Sequence, residues 1–146
     1  HQSLLLSMNL LVFTLGNLAA TTLANRIGSR RLIPLTFGLF SFGVVIAALA
    51  PSLPFIFLAQ ACIGLAHGTD YPVLMGLSIR DVSNAERTTA MGLHQSVYAI
   101  GMFTGPAVSG VIADAIGIQP MRGVTAFVNL ALGLIGARWL VERKRT

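Results

Sequence analysis

Gly64-Leu65-Ala66-His67-Gly68-Thr69-Asp70-Tyr71-Pro72 sits inside a run, Leu32 to Ile79, whose single formal charge is Asp70. So long a stretch with so little charge is built for lipid or for the inside of a bundle. An Asp at the centre of a membrane span costs roughly 2.5–3.5 kcal/mol. His67 and Asp70 stand three residues apart, a spacing that puts both on one helix face. An ionisable pair kept at that cost marks a candidate functional site. The rest of the sequence reads as its scaffold.

The composition agrees. Of 146 residues, 54% are hydrophobic and 10% charged, against about 25% charged in a soluble domain. This places the chain in the membrane class. The net charge of +5 does not imply a nucleic-acid partner, because the basic residues punctuate the apolar runs instead of forming one patch. Cys62 has no second cysteine to pair with. His1 is not an initiator Met, and no signal peptide is expected; the chain reads as beginning mid-protein.

Five spans are expected in a single transmembrane domain, at about residues 4–24, 32–50, 55–79, 88–113 and 123–141. Each is near the roughly 20 residues that cross a bilayer as a helix. The fold class is therefore all-α, a polytopic helix bundle in which lipid-exposed backbone satisfies its own hydrogen bonds. If the spans alternate, Arg26, Arg30, Arg31, Arg80, Arg87, Arg138, Arg143, Lys144 and Arg145 share one side, and only Arg122 lies on the other. That asymmetry makes the first side, with the C-terminus, cytoplasmic. A bacterial inner membrane is the expected location.

The spans differ in character. The second and fifth are nearly all apolar and suit lipid contact. The third and fourth carry Gln60, His67, Asp70, Tyr71, His94, Gln95 and Tyr98, which suit a water-filled cavity. Gly64 with Gly68, Gly101 with Gly105 and Gly16 with Ala20 mark places where helices can approach closely.

Two further stretches stand out. Asn25-Arg26-Ile27-Gly28-Ser29-Arg30-Arg31 forms the first cytoplasmic loop, where Gly28 permits a sharp turn. On physical grounds alone it reads equally as a plain basic loop. Gly101-Met102-Phe103-Thr104-Gly105-Pro106, with Gly110 beyond, is a hinge or a tight helix seam, since Pro106 removes a backbone donor.

These stretches carry a resemblance to the major facilitator superfamily of transporters. The loop resembles its G-x-x-x-D-R-x-G-x-R-R signature, with Thr21 at the first Gly and Asn25 at the Asp. The fourth span resembles its G-x-x-x-G-P-x-x-G-G signature, with Ser109 at the penultimate Gly. The third resembles R-x-x-x-G, with Gln60 at the Arg. The resemblance implies helices eight to twelve, the C-terminal half, because degraded signatures are usual there; helices two to six are the alternative. It implies alternating access around a midplane site, a lipid bilayer and a missing N-terminal half as partners, and a small-molecule substrate. The residues themselves show no nucleophile elbow, P-loop or Cys/His zinc spacing, so no cofactor, no metal and no enzymatic activity are expected.

Counting about 1.5 Å per residue, Asp70 and His94 lie at similar depths, roughly 14 and 10 Å from the inner ends of their spans, and could meet. His67 and Asp70 could carry a coupling H+, bind a polar substrate group, or form a buried hydrogen-bonded pair that fixes packing. A membrane scaffold is the rival reading for the whole chain.

Overall fold

The computed structural model describes residues 2–140 and contains five helices. They are α1 (Gln2–Ile27), α2 (Ser29–Leu49), α3 (Leu53–Ser78), α4 (Arg87–Ile116) and α5 (Ile118–Trp139). The described residues form no strand, so the protein is an all-α helix bundle. Glu142, Arg143, Lys144, Arg145 and Thr146, the basic end expected on the cytoplasmic side, lie outside the described residues.

Four helices, α1, α2, α4 and α5, are long and apolar enough to cross a membrane. The sequence reading expected five. The remaining helix, α3, has 26 residues and the length to span, but Gln60, His67 and Asp70 offset its apolar side chains.

The helices also run closer together than expected. Residues 25–31 are not a loop: α1 continues through Arg26, and only Gly28 separates it from α2. Gly28 has φ 84°, a left-handed conformation open to glycine at no steric cost. Its N–H donates to the Ala24 carbonyl at 3.0 Å, and the Leu32 N–H donates to the Gly28 carbonyl at 3.0 Å. Both helix ends are thus closed by one residue. Gly117, φ 93°, does the same between α4 and α5. The break at Pro51 agrees with expectation: α3 starts at Leu53, with Pro54 in its first turn, where its missing donor costs nothing.

α3 is the organising helix. α1 packs along one side of it and α2 along another, and α5 packs on α2. The α1–α3 seam is tight. A Cβ on Gly64 would stand 2.8 Å from the Asn9 carbonyl oxygen, and one on Gly68 would run into the backbone of Phe13. Ala20, Leu32, Ile33 and Val73 form a buried core at the end of the bundle where α1 turns into α2 and α3 ends.

The few polar groups of α2 and α5 serve packing. Ser41, 6% exposed, donates to the Ala126 carbonyl at 2.9 Å. Asn129 Nδ2 donates to the Phe37 carbonyl at 3.0 Å and to Ser41 Oγ at 3.1 Å. With these groups turned inward, the outer faces of both helices are left apolar. Arg122, at the other end of the bundle, donates to the Ala47 carbonyl at 2.7 Å and ties the start of α5 to the end of α2.

α4 stands apart. None of its residues is buried, and among the described helices it touches only α5 and, at a few points, α3. It runs as one helix through Pro106.

Candidate functional site

The points where α4 meets α3 hold most of the polar residues singled out above. On antiparallel helices, residues equally far from the inner ends lie side by side. His67 and Tyr98 are each roughly 16 Å from that end, and Tyr71 and His94 each roughly 10 Å. The rings pair accordingly. His67 and Tyr98 are nearly parallel, with centroids 6.5 Å apart and planes at 21°, and Tyr98 Oη lies 3.4 Å from His67 Nε2. Tyr71 meets His94 edge-on at 6.4 Å and Tyr98 edge-on at 5.2 Å. Gln95 Nε2 donates to Tyr71 Oη. From α1, Phe13 adds a fifth ring 5.5 Å from His67.

The result is a wall of rings with hydrogen-bonding rims. His67 and Gln95 are exposed on it. Imidazole and amide groups turned outward at mid-span are poorly matched to hydrocarbon, and such groups ordinarily face a bundle interior or a watery cavity.

Two expected members are elsewhere. Asp70 does not pair with His67. It accepts a hydrogen bond from Thr36 Oγ1 of α2, and Thr36 is 6% exposed. The reason is angular. Each helix residue turns about 100°, so Asp70 and Tyr71 diverge although they are neighbours. Tyr71 goes toward α4 and Asp70 toward α2. Gln60 is held by α1: Asn9 Nδ2 donates to its side-chain Oε1 and to its backbone carbonyl, both at 3.0 Å.

The glycines divide as well. Gly64 and Gly68 form the close seam with α1, while Gly101, Gly105 and Gly110 have nothing within 4 Å of a would-be Cβ. The signature residues Asn25, Arg26, Arg30 and Arg31 lie exposed at the α1–α2 junction. No side-chain hydrogen bond joins the three arginines to another described residue.

Phe13, Thr36 and Asn9 were not expected at these positions. Thr36 and Asn9 carried a signal, as polar residues in otherwise apolar spans. Phe13 carried none, being one phenylalanine of eight.

A five-helix bundle with apolar outer faces and a mid-depth polar wall defines an integral membrane protein of the polytopic helical class. The chain belongs to the Major Facilitator Superfamily, whose family model matches residues 1–146. It is similar to the multidrug resistance protein Stp of Mycobacterium tuberculosis, 29% identical over 88% of this chain and 23% of that protein. It is similar to the riboflavin transporter RibZ of Clostridioides difficile, 29% identical over 86% of this chain and 27% of that protein. The methylenomycin A resistance protein of Streptomyces coelicolor is 28% identical over 78% of this chain and 23% of its own length. The chain thus spans about a quarter of the length of these relatives. No solved structure matches it at a significant level.

Proposed function

We propose that this chain forms one side of the substrate path in a secondary transporter for a small solute, working by alternating access. The wall of His67, Tyr71, His94, Gln95 and Tyr98 is the observation that carries the reading. It is polar, it lies roughly 10–16 Å from the helix ends, and His67 and Gln95 are exposed on it. Further spans, supplied by an N-terminal half, would close the cavity over this face, and the bundle described here would rock against them. The short overlap with the relatives supports this, and their printed names, among them a riboflavin transporter, support small organic solutes as cargo. The basic ends at Arg26, Arg30, Arg31, Arg80 and Arg87 support a cytoplasmic location for that side, in a bacterial inner membrane.

Protons are the proposed coupling ion. His67 supplies a titratable group on the wall, and Asp70 supplies one behind it on α2's side. The test is solute uptake by the full-length protein in liposomes under an imposed pH gradient. His67→Ala with Tyr98→Ala is expected to lower the rate at least about tenfold, the scale of a lost binding group, with membrane insertion unchanged. Wild-type uptake by that double variant defeats the assignment of the wall. Asp70→Asn is expected to abolish gradient-driven uptake while exchange without a gradient continues. Gradient-driven uptake that survives both Asp70→Asn and His67→Gln rules out these two as proton carriers.

A further inference from the structure

We propose that the wall selects an uncharged, planar heteroaromatic solute. The proposal rests on the transport reading above and names the class of its cargo.

The first observation is the density of rings. Phe13, His67, Tyr98, Tyr71 and His94 lie in that order with successive centroids 5.2 to 6.5 Å apart. Rings so placed offer faces and edges to another flat π-system and little to a puckered one. The second is the absence of fixed charge. Asp70, the one carboxylate of α3, bonds Thr36 on a different side of the helix. Arg80 and Arg87 stand at the inner helix ends, and Arg122 is bound to the Ala47 carbonyl. Apart from the proton that His67 carries in the coupling step, an ionic substrate would find no countercharge among the described wall residues, and leaving its charge unpaired in a low-dielectric site is costly.

The third observation is the rim chemistry. Gln95 brings an amide, Tyr71 and Tyr98 bring hydroxyls, and His67 and His94 bring ring nitrogens that donate or accept according to tautomer. These groups lie around the rings, where a flat ligand presents ring nitrogens, carbonyls or amides at its edge. A saccharide needs many polar partners across its whole surface. Rings occupy that surface here.

The experiment uses full-length protein and four tritiated probes. Pyrazinecarboxamide and quinoxaline-2-carboxamide are flat and neutral. Cyclohexanecarboxamide keeps the amide but is not flat, and glucose is neutral and puckered. Binding is measured in detergent and counterflow in liposomes. At least one flat probe is expected to bind at least about tenfold more tightly than the other two, as ring stacking alone supplies. Tyr71→Leu with Tyr98→Leu is expected to remove that preference, and Tyr71→Phe with Tyr98→Phe to keep it. Equal or tighter binding of glucose or cyclohexanecarboxamide overturns the proposal, as does failure of both flat probes to bind. Loss of the preference in the Phe variant overturns the role of the ring faces. Flat-probe binding without counterflow upholds the class and sinks the transport reading. Counterflow of glucose with no flat-probe binding does the reverse.

Discussion

Gly64 with Gly68 and Gly101 with Gly105 are the same pattern in sequence, two glycines four residues apart on a membrane helix. In the structure they are opposites. The α3 pair is pressed against the backbone of α1, so that no side chain fits. The α4 pair faces open space, on a helix with no buried residue. Spacing sets how closely a partner can approach; whether one does depends on which surfaces the remaining helices leave over. Between α1 and α2, α3 is covered on two sides. α4 meets only α5 and, at a few points, α3.

The comparison can be broken most sharply at the glycines. Gly68→Ala is expected to destabilise the bundle by about 1–3 kcal/mol, because the new methyl group meets Phe13 backbone that cannot rotate away. Gly105→Ala is expected to leave this chain's stability unchanged. Unfolding in graded denaturing detergent reads both, and equal losses would mean that α4 is as tightly covered as α3.

Next in size is the Thr36–Asp70 bond between α2 and α3. Thr36→Val keeps the shape and removes the donor. It is expected to cost about 1–3 kcal/mol, the penalty for an unsatisfied buried acceptor. Combining it with Asp70→Ala, which removes the acceptor, should give a non-additive cycle, and strict additivity would show that the two side chains do not interact. Smallest is Asn9→Leu at the α1–α3 seam. Losing its bonds to Gln60 should cost about 0.6 kcal/mol, the average measured between membrane helices. A loss as large as that of Gly68→Ala would mean that polar bonding, more than close packing, holds α1 to α3.

Much of this architecture can be read from the residues. Apolar runs broken by arginines locate the helices, and depth brings the polar residues of α3 and α4 to one level, but it matches His94 with Asp70, whereas His94 meets Tyr71 and Asp70 bonds Thr36. Direction around the helix cannot be read so easily. His67 and Asp70 share a broad face by their spacing, but which part of that face meets which neighbour depends on where α2 crosses α3. The position of Thr36 decides it, and no local pattern in α3 encodes that position. The stretch Asn25 to Arg31 reads as a loop but folds as helix for a related reason. Its charges suggested a loop, yet arginine is a good helix former, and a single left-handed glycine suffices to reverse the chain.

Those one-residue turns at Gly28 and Gly117 also bear on how the protein can be handled at the bench. α1 and α2, and α4 and α5, are joined with no slack, so a tag or reporter inserted at either turn would disturb both helix ends that the glycine closes. The connection from Ile79 to Glu86 is different. It closes on small local bonds, such as Ser83 Oγ to Glu86 at 2.8 Å, and it links the covered helix to the uncovered one. A fluorophore or an epitope placed there would leave every helix intact and sit between the covered helix and the uncovered one.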